Sequence, residues 1–213
     1  MKRAVLAVIA IGLLAGIFRF VPLFHFVPLK QEQGRQAAAE FNPTNFAAAF
    51  WNDRLLKSLD RAADAGTVLA ALSADSPKAR TQFGRTLGLS SATLFFLRGT
   101  GRVVSVTKKG VSLALKNGDD TADILLPTGL LFGNTVRDGT GLLDASTFPN
   151  SQNFNDLSAE LNRIVETTLL PQLREKAKVG AKISFAGCAE IAEDDADVKP
   201  LPVIPVAVKL ESP

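Results

Sequence analysis

The chain has 213 residues, of which 46% are hydrophobic and 21% charged, a composition typical of a folded domain with a sizeable core. Its one cysteine, Cys188, excludes a disulfide framework and a cysteine-based zinc site. Its one histidine, His25, lies in the apolar N-terminal stretch, so a domain after residue 30 has no histidine-based catalytic triad and no histidine-ligated metal.

The formal net charge of +3 comes from the N-terminal segment. Residues 1–30 contain four basic residues and no acidic residue, which leaves 20 basic and 21 acidic residues in the rest of the chain. A protein that binds nucleic acid needs a basic surface to replace phosphate counterions. The nearly neutral remainder therefore argues against nucleic acid as a partner.

Residues 1–30 have the layout of a secretory signal or a signal-anchor, with basic Lys2-Arg3 followed by a charge-free run from Ala4 to Phe18. Fifteen helical residues reach about 22 Å, less than the roughly 30 Å hydrocarbon core, but adding Arg19 and Phe20 makes a span feasible. We expect membrane lipid to hold residues 4–20 as a single-pass helix in the bacterial inner membrane, with the folded domain facing the periplasm. A cleaved signal peptide and a buried soluble helix are the alternatives.

The triplet Leu14-Ala15-Gly16 has the form that precedes the lipid-modified cysteine of a bacterial lipoprotein. The next residue is Ile17, which cannot form the thioether to a lipid. We therefore expect the apolar helix itself, and not a lipid, to be the anchor.

Residues 31–90 predict a small helical subdomain that follows a polar linker. Thr44 or Asn45 can cap its first helix, and Ala65-Gly66 can end that helix. Thr67 can cap a shorter second helix, and Ser76-Pro77 is typical of the start of a third, which is predicted to reach about Phe83. The first helix is indicated by apolar residues at helical spacing: Phe46, Phe50, Leu55, Leu59 and Ala62.

Residues 91–213 predict an antiparallel meander that curls toward a small barrel, with a long helix inserted at about residues 154–177. The tripeptide Gly99-Thr100-Gly101 is predicted to be the turn of the first hairpin. Pro171 is expected to kink the long helix. The predicted strands are Ala92–Arg98, Arg102–Thr107, Val111–Lys116, Ala122–Pro127, Lys182–Glu190 and Val203–Leu210.

The acidic run at residues 194–197 is interpreted as a solvated turn. It lacks the glycine and the distal glutamate of an EF-hand calcium loop. We therefore expect neither a metal ion nor a cofactor in this protein.

The best candidate site is a polar cluster in and after a glycine-rich loop. Arginine offers a planar donor fork, and the adjacent aspartate is its complementary acceptor, a mixture suited to sugars and carboxylates. The alternative is a buried Arg137–Asp138 pair that holds the loop against the long helix, with Asn150 and Asn155 as caps of that helix. The candidate ligand-binding residues are Asn134, Thr135, Arg137, Asp138, Asn150 and Asn162, with loop glycines Gly129 and Gly133.

An enzyme is the less favoured hypothesis. Asp138 with Asp144 or Asp156 would supply the two carboxylates of a glycoside hydrolase, but the sequence does not determine the distance between them. We therefore predict no catalytic residue and a non-enzymatic role.

Three segments carry a resemblance to a known family: Gly99–Val106 (GTGRVVSV), Thr128–Asp138 (TGLLFGNTVRD) and Phe148–Asn162 (FPNSQNFNDLSAELN). Together they resemble the bacterial predicted periplasmic lipoproteins labelled domain-of-unknown-function family 2291, over roughly residues 44–210. The chain departs from the family pattern at a proline, a threonine, a glutamine and the lipid-bearing cysteine, whose places are taken by Leu130, Asn134, Ser151 and Ile17.

The resemblance implies an α+β fold, with a helical subdomain beside an OB-like β-barrel that contains an inserted helix. Members are often encoded beside sugar ABC importers of the ribose type, which implies a transporter component or another envelope protein as partner. The expected function is that of an envelope-anchored, non-enzymatic accessory protein. A periplasmic module that binds a small sugar or carboxylate is the alternative.

Overall fold

A computed structural model describes residues 41–88, 91–116, 118–193 and 199–211. The predicted anchor at residues 4–20 and the acidic run at 194–197 lie outside these ranges. In the part of the chain that is described, no helix has the length and the hydropathy needed to cross a membrane.

The first helix, α1, spans Pro43–Phe50 and continues through a π-helical turn, Trp51–Leu55, and a 3-10 turn, Leu56–Arg61. Its N-cap is Asn42 and not the predicted Thr44 or Asn45, because the side chain of Asn42 accepts a 2.9 Å hydrogen bond from the backbone of Asn45.

The next two helices are α2, Ala65–Ala74, and α3, Ser76–Phe83. The prediction that Ala65-Gly66 ends a helix is wrong. The side chain of Asp64 accepts a 2.8 Å hydrogen bond from the backbone N–H of Thr67, which makes Ala65 the first residue of α2.

Two short strands join this helical segment to the sheet. Strand β1, Ala63–Asp64, runs parallel to the middle of strand β3, Thr93–Val106. Strand β2, Gly84–Arg85, pairs antiparallel with the beginning of β3. Residues 38–213 form one unit in which helices and sheet share a core. The division into two domains near residue 90 stays a prediction.

The remaining strands form a strongly curled sheet in the order β7-β5-β4-β3-β6-β8, in which β5 and β7 run parallel. Strands β7 and β8 stand at opposite ends of this order, yet only Val203 separates them along the chain. The sheet must therefore curl until its two ends come together. The strands are β3 Thr93–Val106, β4 Gly110–Ala114, β5 Ile124–Pro127, β6 Lys182–Ile191, β7 Leu201–Pro202 and β8 Ile204–Glu211.

Strand β3 corrects the predicted hairpin at residues 99–101. It continues through all three residues and pairs with β6 without interruption from Thr93 to Arg102. The glycines serve close packing and not a turn. A Cβ on Gly101 would lie 2.9 Å from Cβ of Leu113 and 3.0 Å from the carbonyl oxygen of Ala114, on the neighbouring strand.

The inserted helical segment lies between β5 and β6 in the chain. A short helix, α4 (Thr135–Gly139), comes first, and α5 (Ser151–Ile164) continues through a π-helical turn, Val165–Leu169, into α6 (Leu170–Lys176). The irregularity predicted at Pro171 is thus a π-helical turn just before it, which shifts the buried face onto Leu170. The apolar side chains of this segment that are fully buried in the core are Val136, Leu157, Leu161, Val165, Leu170 and Leu173.

We expect Gly101→Ala to lower the free energy of unfolding by about 1–3 kcal/mol, because the added methyl group has to displace strand β4. Chemical denaturation measures the change. Gly129→Ala is the matched control, since a Cβ there has no neighbour within 4 Å, and it should stay within about 0.5 kcal/mol of the wild type. Equal stabilities of the two variants would contradict the close packing of β3 and β4.

Candidate functional site

Helix α4, which carries the predicted Arg-Asp pair, is attached to the sheet and to α5. Val136 is buried in the core, and the hydroxyl of Thr135 donates a 2.9 Å hydrogen bond to the carboxylate of Glu190 on β6. The side-chain amide of Asn162 on α5 donates to the carbonyl oxygen of Gly133, at 3.1 Å. The chain is therefore held to α5 at Gly133, just before α4, and to β6 at Thr135, the first residue of α4.

Arg137 and Asp138 form a bidentate ion pair. The Nε and Nη2 atoms of the arginine donate to the two carboxylate oxygens at 2.7 and 2.8 Å. The Nη1 atom donates to the carbonyl oxygen of Phe154 at 3.1 Å and to the side chain of Asn155 at 3.2 Å. Four of the five guanidinium N–H groups are thereby used within the protein.

Burial and stacking make this pair a brace between α4 and the first turn of α5. The side chains of Arg137 and Asp138 are only 7% and 11% exposed. The guanidinium carbon of Arg137 lies 3.7 Å from the ring centroid of Phe154, which is cation–π geometry. The arrangement agrees with the structural alternative for this pair, except that Asn155 accepts from Arg137 and does not cap the helix.

Phe154 also belongs to an aromatic cluster that connects the site to the start of the described chain. Its ring centroid is 4.9 Å from that of Phe148, which in turn lies 5.2 Å from Phe46 on α1 and 5.7 Å from Phe41. The brace is therefore packed against α1 as well as against α4 and α5.

A cleft of about 660 Å³ opens beside the brace. Its walls combine apolar side chains with two acidic and two basic side chains, a combination typical of sites for small polar molecules. The lining residues are Arg85, Leu87, Gly88, Arg137, Asp138, Gly141, Leu142, Leu143, Asp144, Ala145 and Phe154.

Arg85 is the residue of this cleft that the sequence analysis missed. Strand β2 places it opposite Leu94, and its guanidinium group packs against Gly141, where a Cβ would overlap Nη1. Gly141 has a φ of +68°, so this position favours glycine both for its backbone and for the space it leaves.

The Arg85 side chain has no hydrogen-bond acceptor or carboxylate partner among the described residues, and its Nε atom is buried. It is therefore a cation with unused donors at the wall of a cleft. A single Gly-Arg pair before an irregular stretch carries no pattern that would reveal this in the sequence.

The other predicted residues have different surroundings. Asn150 caps α5, since its side chain accepts a 2.8 Å hydrogen bond from the backbone of Asn153. Thr135 and Asn162 are buried and bonded within the protein, whereas Asn134 is exposed and lines a second cavity of about 360 Å³ beside Asp138. The structure thus places Arg137 and Asp138 at the main cleft, and the role of all these residues as ligand contacts stays a prediction.

The surroundings of Asp144 and Cys188 shift the pKa of each side chain. Hydrogen bonds from the backbone and hydroxyl of Ser146 hold the pKa of Asp144 below its usual value, so it is a carboxylate at neutral pH. Burial raises the pKa of the Cys188 thiol, which therefore stays protonated. Within the described ranges, no group of three or more acidic, cysteine or histidine side chains is arranged to hold a metal ion.

We expect Arg137→Met to lower the free energy of unfolding by about 3–5 kcal/mol, because it leaves the carboxylate of Asp138 buried without its partner. Arg163→Met is the matched control. Arg163 pairs with Glu160 on the surface at 52% side-chain exposure, and its loss should change the free energy of unfolding far less, because water screens an exposed ion pair. Equal losses in the two variants, measured by chemical denaturation, would show that the Arg137–Asp138 pair is not a structural brace.

Comparison with known proteins supports the fold and gives the family. The crystal structure of an OB-fold protein from Thermotoga maritima is similar to this one with a TM-score of 0.72, at 24% identity, over 80% of this chain and 99% of that chain. This likeness supports the prediction of an OB-like fold. No curated protein matches the chain. Neither match names a transporter, so the association with a sugar importer stays a prediction. The family model described as "Predicted periplasmic lipoprotein (DUF2291)" matches residues 7–209, and the chain therefore belongs to this family.

Proposed function

We propose that this protein is a binding protein of the bacterial envelope whose cleft beside Arg137 and Asp138 takes a small anionic molecule. The observation that carries the proposal is Arg85, a cation at the cleft wall with free donors and a buried Nε that has no acceptor among the described residues. A carboxylate of the ligand would accept hydrogen bonds from the Nη atoms of this guanidinium.

The other charges of the cleft narrow the class of ligand. The carboxylates of Asp138 and Asp144 also line the wall, and each can accept a hydrogen bond from a hydroxyl group of the ligand. Leucine side chains and Phe154 offer apolar surface for a carbon skeleton. A hydroxylated carboxylate, such as a sugar acid, has the complementary groups.

The same contacts favour binding over turnover. A glycoside hydrolase needs one carboxyl group with a raised pKa as general acid, whereas hydrogen bonds from Ser146 lower the pKa of Asp144. Asp138 is held in its bidentate pair with Arg137, and Asp156 accepts from Gln152 and does not line the cleft. We therefore propose a role without a covalent step.

A thermal-shift screen with gluconate and glucuronate, and with neutral glucose as comparison, tests this site. An acidic ligand at a hundredfold excess over its Kd should stabilise the protein by about 2.7 kcal/mol. We expect Arg85→Met to abolish the stabilisation by the ligand, because the anion loses its donor. Arg163→Met removes a surface cation elsewhere and should leave it unchanged.

Two results would contradict the proposal. One is stabilisation by an acid that is equally large in Arg85→Met. The other is a panel in which neither acid stabilises the protein more than glucose does.

We also propose that residues 4–20 hold the protein in the inner membrane as a single span, with the described domain in the periplasm. This is supported by the charge-free run after Lys2-Arg3 and by Ile17, which stands where a lipoprotein has its cysteine. The proposed partner is a component of a sugar ABC importer, on the basis of the setting that the family resemblance implies.

A retained anchor predicts a mature mass that includes residue 2 onward and release by detergent but not by high salt, because apolar burial in lipid is not screened by ions. Ile17→Cys should create a lipid-attachment site and shorten the chain by residues 1–16. Recovery of a soluble periplasmic protein that begins between residues 17 and 31 would show a cleaved signal. Co-purification from the detergent extract tests the transporter partner.

A further inference from the structure

One end of the curled sheet brings three loops together. The end of β3, the beginning of β4 and the end of β5 are adjacent in the ladder, as are the beginning of β6 and the end of β8. Three segments lie at this end: residues 106–109, which start with the last residue of β3; residues 128–133; and residues 174–181, which start in the last turn of α6. Together we call them the basic end.

Hydrogen bonds join the three loops to one another. The backbone N–H of Thr128 donates to the carbonyl oxygen of Lys109 at 3.2 Å, and the guanidinium of Arg174 donates to the carbonyl oxygen of Thr128. The backbone N–H of Gly180 donates to Val103 on β3 at 2.9 Å. The basic end is therefore one connected surface.

Large apolar side chains are exposed on this surface. Leu130 and Phe132 are 76% and 79% exposed, the highest values among the large apolar side chains of the described residues. Val179 and Val106 are also exposed, at 65% and 41%. The backbone of Leu131 is held by a 2.6 Å hydrogen bond to the carboxylate of Glu166, so the loop that presents its two neighbours is tied to the helix.

The charge of the basic end differs from that of the rest of the chain. Its loops contain five basic side chains and one acidic side chain, Glu175, whereas residues 31–213 as a whole carry 20 basic and 21 acidic residues. Basic residues around exposed apolar side chains are the combination that binds an anionic lipid surface, where the apolar groups enter the headgroup region and the cations meet phosphates. The basic side chains are Lys108, Lys109, Arg174, Lys176 and Lys178, all of them exposed.

We propose that the basic end docks on the surface of an anionic phospholipid bilayer, with Leu130 and Phe132 inserted among the headgroups. The occupant is lipid because positive charge and apolar side chains occur together here, and because the chain has an apolar N-terminal segment suited to hold it at a membrane.

The test uses the full chain reconstituted in vesicles of phosphatidylglycerol and acyl-brominated phosphatidylcholine in equal parts. Bromine quenches a tryptophan that enters the bilayer. We expect the emission of Phe132→Trp to shift to shorter wavelength and to be quenched. The native Trp51, which is 6% exposed, supplies the same background in every variant.

Leu56→Trp is the matched control, because Leu56 is a leucine of 38% exposure on the 3-10 turn after α1, outside the basic end, and its emission should not be quenched. Adding Lys108→Glu and Lys109→Glu to Phe132→Trp should remove most of the quenching, since each basic residue contributes about a fivefold preference for an anionic surface. Vesicles of brominated phosphatidylcholine alone should give the same loss.

Quenching of Phe132→Trp that does not exceed that of Leu56→Trp would overturn the proposal. A shift to shorter wavelength without quenching would overturn it as well, because it would show that protein and not lipid covers Phe132. Neither outcome depends on Arg85, so the result is separate from the test of the cleft.

Discussion

The curl of the sheet is the constraint on which the other features depend. Val203 alone connects β7, which pairs with β5, to β8, which pairs with β6, and its backbone N–H donates to Leu125 at 2.9 Å. A flat sheet of this strand order cannot be closed by a one-residue connection. The curl creates a concave face with the core inside it, and the inserted helices α5 and α6 fill that core with leucine side chains.

Long, uninterrupted pairing of β3 with β6 supports this curl at its centre. Small residues in β3 let the neighbouring strands approach closely, as Gly101 does for Leu113. The short strands β1 and β2 pair with the same strand. The helical segment is thereby joined to the sheet through backbone hydrogen bonds as well as through apolar contacts.

Two arginines of the cleft illustrate how differently one residue type is used. Arg137 is buried, stacked on Phe154 and bonded through four N–H groups, so its charge stabilises the contact of α4 with α5. Arg85 stands at the same cleft with donors that the described residues do not use. Desolvating part of a cation without a partner costs free energy, which is why we propose Arg85 as the contact for a ligand.

The amino-acid sequence by itself determined the family, the α+β class and the existence of most elements. Apolar periodicity predicted α1, the helix over residues 154–177 and the curled strands, because burial of one face is a local pattern that the chain records directly. The pair Ser76-Pro77 predicted the start of α3. The sequence also identified Arg137 and Asp138 as a pair, since a bidentate contact between adjacent residues needs no knowledge of the fold.

Only the tertiary structure decided which of these groups meet. The glycines at 99 and 101 are typical of a turn in sequence, but they lie inside a strand because β3 pairs there with β6, with Gly99 opposite Phe185 and Gly101 opposite Ile183. A Cβ on Gly101 would also meet Leu113 of β4. Arg85 lies about 50 residues before Arg137 and reaches the same cleft because β2 pairs with β3 and Gly141 leaves space for the guanidinium. Contacts between segments this far apart depend on sheet register and side-chain packing, which no local pattern of residues records.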